Sequence, residues 1–158
     1  MRTPRPRVGC GGYCGEQRLR FGNDCPQVAE KSSAGLEQVP LTIHSSSGTH
    51  KFTVEIARTP EQQARGLMFR ESLAPDRGMI FPYDPPTDAS FWMKNTLIPL
   101  DLVFIRPNGT VGRIAENAVP MSLEPIPSLE AVSAVLEIPG GRAAELHIKE
   151  GDKVNWPH

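Results

Sequence analysis

In the stretch Ser90-Phe91-Trp92-Met93-Lys94-Asn95-Thr96, two bulky aromatics are followed at once by a cation and a side-chain amide. An indole offers a stacking face, an ammonium a charge, and a carboxamide both a donor and an acceptor. That equipment suits a small polar ligand better than it suits the inside of a strand. Taken as a strand, Ser90 to Thr96 sends Phe91, Met93 and Asn95 to one face and Trp92, Lys94 and Thr96 to the other, so each face mixes large apolar groups with a polar one. Two arrangements satisfy that mixture. One is an edge strand whose Lys94 snorkels to water and discourages edge pairing. The other is a recognition floor on which Trp92 stacks against a ligand while Lys94, Asn95 and Arg70 make its polar contacts.

Three carboxylates interrupt apolar runs: Glu55 between Val54 and Ile56, Asp101 between Leu100 and Leu102, and Glu137 between Leu136 and Ile138. Alternation on a half-buried sheet places Glu55 and Glu137 on the solvated face at no cost. Asp101 needs a partner if buried, and Arg70 or Lys94 could supply one. A carboxylate meeting Lys94 in one pocket would instead be the makings of a hydrolase or lyase, with Asp101 or Glu137 as general base and Lys94 stabilising developing negative charge.

Other chemistries lack their residues. Met68, Met79, Met93 and Met121 are soft-metal donors in principle, but methionine in a core is far commoner, and His44, His50, His147 and His158 show no paired spacing. No metal and no cofactor is expected. There is no phosphate-binding glycine loop, no nucleophile elbow and no metalloprotease helix, and Ser90 and Ser128 lack any context that would activate them.

The elements that must position these residues are short and turn-bounded. Leu41 and Ile43, then Phe52, Val54 and Ile56, alternate with polar residues on either side of a Ser45 to Gly48 turn, which predicts a β-hairpin. Thr59-Pro60-Glu61-Gln62 has a capping threonine, proline at the first helical position and Gln62 placed to complete a capping box, with Gly66 as the stop. Leu67, Met68 and Phe69 are then expected to enter the core. A strand at Met79-Ile80-Phe81 should end at Pro82, Tyr83 to Asp88 should be a surface loop, and Leu100 to Ile105 should pair with Thr110 to Ala115 across the Pro107-Asn108-Gly109 turn. The prolines at 120, 125 and 127 predict a long loop over residues 117–130. Ala134 to Ile138, a helical turn within Arg142 to Ile148, and a last strand around Lys153 to Trp156 complete the chain.

Sixteen prolines and fourteen glycines in 158 residues, with about eight short strands, specify a mainly β fold. The expected form is a single-domain jelly-roll-like β-sandwich or barrel-like sheet with one or two short helices, spanning residues 41–158. Residues 1–40 carry Arg, Gly, Pro and Ser without periodicity and read as a disordered basic tail that holds Cys10, Cys14 and Cys25, leaving the domain free of cysteine. A formal net charge of -1 gives no field to draw nucleic acid, and none is expected as a partner. No apolar run is long enough for a transmembrane segment, and the basic N-terminus lacks the apolar segment of a signal peptide. The chain as written would thus be cytoplasmic, or exported if its start lies elsewhere. Composition leaves oligomeric state open.

Glu55, Gly66-Leu67-Met68 with Arg70, Gly78-Met79 with Phe81, Phe91-Trp92-Met93-Lys94-Asn95-Thr96, Pro99-Leu100-Asp101, Leu136-Glu137 and Gly151-Asp152 together resemble the DUF192 (UPF0127) family. The resemblance runs from about residue 42 to 156. It implies a mostly β, jelly-roll-like domain, often found behind a signal peptide or membrane anchor, and brings no established activity with it. The residues themselves point first to a non-enzymatic module for a small polar ligand, a saccharide or an anionic group, built from Arg70, Trp92, Lys94, Asn95, Asp101 and Glu137. A hydrolase or lyase, and a structural or envelope-associated interaction domain, are the alternatives.

Overall fold

A computed structural model describes residues 34–158. The predicted hairpin forms from β1 (Gln38–Ser45) and β2 (Gly48–Ile56), with Leu41 facing Phe52 and Val39 facing Val54. Thr59 caps α1 (Pro60–Arg65) through the expected box: its hydroxyl accepts from the Gln62 N–H, and the Gln62 side chain accepts from the Thr59 N–H. Because α1 carries the chain back across the sheet, β3 (Arg77–Phe91) enters parallel to β2, an arrangement a hairpin could not give. All other pairings are antiparallel. β4 (Leu100–Ile105) pairs with β5 (Val111–Ala118) and with β6 (Ile126–Pro139), α2 (Arg142–Glu145) follows, and β7 (Lys153–Asn155) adds to β1.

The strand order is β5-β4-β6-β3-β2-β1-β7. A bridge between Thr110 and Lys153 joins the last strand to the start of β5, so the sheet curls until its two edges touch at one end. It is barrel-like rather than a sandwich. Side chains from all seven strands, among them Ile43, Val54, Ile80, Val103, Val111, Leu136 and Val154, meet in one cluster on the concave side. A second cluster covers the convex side of β3, β4 and β6, where Met79, Phe81, Leu102, Phe104 and Val135 lie under Leu67 and Met93 from the loops.

That second cluster corrects an expectation about charge. Glu55 and Glu137 do face away from the concave core, but the loops roof that face, and the two residues are only 4% and 5% exposed. Proline is likewise less disruptive than its chemistry alone implies. β3 does not stop at Pro82 but runs on to Phe91, and Tyr83 to Pro86 sit in a bulge between the pairs Pro82–Ala134 and Thr87–Val132, where no ladder hydrogen bond is demanded of them. Residues 117–130 are not one loop either: β5 extends to Ala118, and β6 begins at Ile126 with Pro127 beside another register shift.

Phe69 does not enter the core; it is 61% exposed in a left-handed conformation with φ 64°. The tail assigned to residues 1–40 lies mostly outside the described residues, as do its three cysteines. Within its described part, Leu36 packs on the convex cluster and the Glu37 carbonyl accepts from the Ile56 N–H, so the domain's contacts begin ahead of residue 41. No helix among the described residues is long and apolar enough to cross a membrane.

Candidate functional site on the convex face

Strand register places Glu55 opposite Met79 and Met79 opposite Glu137, which makes one row across the roofed face. Two strand spacings separate the two carboxylates, about 10 Å. Their surroundings differ. Arg70 Nη1 stands 2.7 Å from Glu55 Oε2, although neither oxygen of Glu55 finds an aligned hydrogen bond. The contact is therefore a charge pairing without hydrogen-bond geometry, and its closeness still counts because Coulomb attraction does not need alignment.

Glu137 has neither compensation. No hydrogen bond or ion pair reaches its carboxyl among the described residues. It opens into a pocket of about 180 Å³ walled by Phe81, Tyr83, Phe91, Trp92, Thr96 and the turn from Gln63 to Met68. Burial alone pushes its pKa up from 4.5 to about 8, so the acid is held protonated across neutral pH. Burial, and then the nearby Glu137, push the Tyr83 hydroxyl up to about 12.

The rim is held by three interlocked loops. The Phe69 N–H donates to the Asn95 carbonyl, the Met121 N–H to the Thr96 carbonyl, and the Met93 N–H to the Ser122 carbonyl. Gly66 closes α1 at φ 48° and lies against the Phe81 ring, where an added Cβ would stand 3.3 Å from Phe81 Cζ. The positive φ favours glycine there, and a Cβ would in addition press on the Phe81 ring. Phe91 packs edge-on to Phe81 and to Phe104, with ring centroids 5.1 Å and 6.4 Å away, which fixes the end of β3 beneath the pocket.

The stretch Ser90 to Thr96 is thus not a strand beyond Phe91. It leaves the sheet and turns at Asn95, where φ is 54°. Strict alternation fails there: Met93 and Thr96 are buried, while Trp92 and Lys94 are exposed. The Lys94 ammonium lies 5.0 Å from the Trp92 ring centroid, a cation–π contact that steadies the indole at the pocket mouth.

Asp101 is placed apart from this group. It shares the concave-side row of Ile138 and is fully buried; one oxygen accepts from the N–H groups of Asn117 and Gly141, the other from that of Ala143. Neither Arg70 nor Lys94 is its partner; three backbone amides are. Asp101→Asn would put an amide donor where one of these N–H groups points. A loss of about 2 kcal/mol in chemical unfolding is expected, without a change in ligand binding on the other face.

Of the residues singled out from sequence, Glu137 and Trp92 line one pocket, and Lys94 and Asn95 shape its rim. Arg70 lies off it: it pairs with Glu55 and lines a wider hollow of about 360 Å³ beside Arg65 and Leu36. Phe81, Tyr83 and Thr96 were not anticipated as pocket walls. Tyr83 is brought there by the bulge in β3, for which the chain carried only the paired prolines as a signal.

The model of a family described as uncharacterised ACR, DUF192, matches residues 42–156. The chain belongs to the DUF192 family. Solved structures share the fold, among them these two. A protein of unknown function from Novosphingobium aromaticivorans is 47% identical with a TM-score of 0.78, the match covering 86% of this chain and all 100% of the other. A protein from Sinorhizobium meliloti described as a candidate transcription regulator is 41% identical with a TM-score of 0.74, covering 77% of this chain and 95% of its own. No curated protein matches this DUF192 chain.

Proposed function

We propose that this DUF192 protein is a binding module for a small polar ligand that is uncharged and hydroxylated, of the saccharide class. The observation that carries this is Glu137: a buried carboxyl with no hydrogen-bond or ion-pair partner among the described residues, opening into a pocket lined by aromatic rings and by the chain from Gln63 to Met68. A group desolvated without compensation costs stability, and a ligand that hydrogen-bonds to it recovers that cost. Held protonated, the carboxyl can donate one hydrogen bond and accept another, which matches a hydroxyl pair. Arg65 lines the same pocket but makes no ion pair with Glu137, and a neutral carboxyl is better matched by a hydroxylated ligand than by a charged one. Trp92 and Phe91 supply the apolar walls against which the C–H face of a sugar ring packs.

A titration of the protein with a panel of monosaccharides, followed by NMR chemical shifts, tests this. Saturable binding is expected, within severalfold of the parent for Glu137→Gln and weakened at least tenfold for Glu137→Leu, the loss of a buried hydrogen-bonding group. A panel that produces no shifts around the pocket would overturn the proposal.

One observation favours a catalytic alternative. An acid with its pKa pushed up to about 8 is suited to proton transfer near neutral pH. Against it, Asp101, Glu55 and Lys94 all lie outside the pocket lining, which holds no second carboxylate to work with Glu137 and only Arg65 as a cation. Hydrolysis of an aryl glycoside, abolished by Glu137→Gln, would decide for it.

A further inference from the structure

Ser90, Phe91 and Trp92 wall a second hollow of about 190 Å³ on their other side, completed by Leu123 and Pro125. The two hollows therefore share a three-residue partition at the end of β3. Their chemistry differs. The first holds the Glu137 carboxyl, which has no partner among the described residues, with Tyr83 and Thr96. The second is lined by the Phe91 and Trp92 rings, Leu123 and Pro125, with Ser90 as its polar member, and presents more apolar than polar surface.

Large apolar groups are exposed around the partition and on the loop that carries Leu123: Trp92 is 49% exposed, Leu123 63% and Met121 53%. Met121 holds φ 65°, a conformation unfavourable for a bulky side chain, within the loops whose backbone hydrogen bonds brace the pocket. Exposed large apolar groups gathered on a braced, strained platform mark a surface made for contact.

We infer that the two hollows form one bipartite site, taking an amphiphile whose neutral hydroxylated head meets Glu137 and whose aliphatic tail crosses Trp92 to lie against Leu123 and Pro125. The occupant of the second hollow is argued from continuity: a ligand seated on the Glu137 side of Trp92 and Phe91 has only that partition to cross before it reaches apolar surface. This rests on the proposed saccharide-class reading of the first pocket and specifies the ligand further. A bare sugar fills one hollow; an alkyl or acyl glycoside fills both.

The test is a binding series of methyl, butyl and hexyl glucosides, each below its micelle concentration, read by NMR shifts on the full chain. Each methylene that enters the second hollow should tighten binding by about fourfold, the gain for burying one such group. Leu123→Ser should flatten that gain while leaving the methyl glucoside unaffected, and Glu137→Leu should weaken every member alike. Equal affinity along the series would overturn the bipartite site yet leave saccharide binding standing. Absence of binding by every member would remove the first-pocket proposal itself. A chain-length gain untouched by Leu123→Ser, or binding indifferent to Glu137→Leu, would show greasy adhesion and overturn the inference.

Discussion

Raising the pH from about 5 to about 8 should destabilise the protein on the order of 4 kcal/mol, and Glu137→Gln should abolish most of that dependence. Glu137 ordinarily titrates at 4.5 but is pushed up to about 8 by burial in the folded chain. Below both values the carboxyl is protonated folded or unfolded, and pH has no leverage through it. Between them the folded state keeps a proton that the unfolded state has released, so each further unit of pH draws the equilibrium toward unfolding by about 1.4 kcal/mol. Above about 8 the slope ends, because both states have then lost the proton. Other groups titrate in the same window, which is why the difference between parent and variant is the quantity to measure, by urea unfolding at several pH values. The carboxamide of the Glu137→Gln variant does not titrate in this range, so its curve should lack the fall of about 1.4 kcal/mol per pH unit that Glu137 adds to the parent's. Identical slopes in both proteins would mean that water reaches the carboxyl freely and that Glu137 is an ordinary surface acid.

That the acid lies inside was only half legible in the chain. Alternation correctly placed Glu55 and Glu137 on the face away from Val54, Ile56, Leu136 and Ile138. What alternation cannot express is whether a face is wet, since this depends on loops that return from elsewhere: residues 66–70, 92–99 and 119–123 roof this face, and backbone hydrogen bonds from Phe69, Met93 and Met121 hold them together. The hairpin, the capped α1 and the β4–β5 turn were readable because each is decided by neighbouring residues. The extent of β3 and β6 was not, because a proline's effect depends on whether its position needs a ladder hydrogen bond, and the bulge at Tyr83 to Pro86 removes that need. The Phe-Trp-Met-Lys-Asn block marked the right region for a reason other than its pleat. Trp92 and Lys94 are displayed together because the chain has left the sheet there and turned on a left-handed Asn95.

The second large effect concerns the other carboxylate in the same row. Arg70→Ala should cost about 3 kcal/mol in urea unfolding, because it strands Glu55 in the convex cluster with no hydrogen bond to either oxygen. The lower end of the range for breaking buried pairs is appropriate, since the arginine side chain is itself 24% exposed and partly hydrated while its partner is 5% exposed. Replacing both members, Arg70→Met with Glu55→Leu, should return the protein to near parental stability, because the pair's mutual attraction does little more than repay the desolvation of its charges. A double variant as unstable as Arg70→Ala would show that the arginine's packing, rather than the stranded charge, carries the loss. The pair also bears on the pocket. Arg70 follows Phe69, whose N–H donates to the Asn95 carbonyl, so the pairing with Glu55 anchors the loop that runs from the pocket wall at Met68 to the rim at Asn95. Weakened saccharide binding is therefore expected in Arg70→Ala although the residue lines no part of that pocket, and the effect should be restored in the double variant only if its two apolar side chains hold the loop as closely as the charges do.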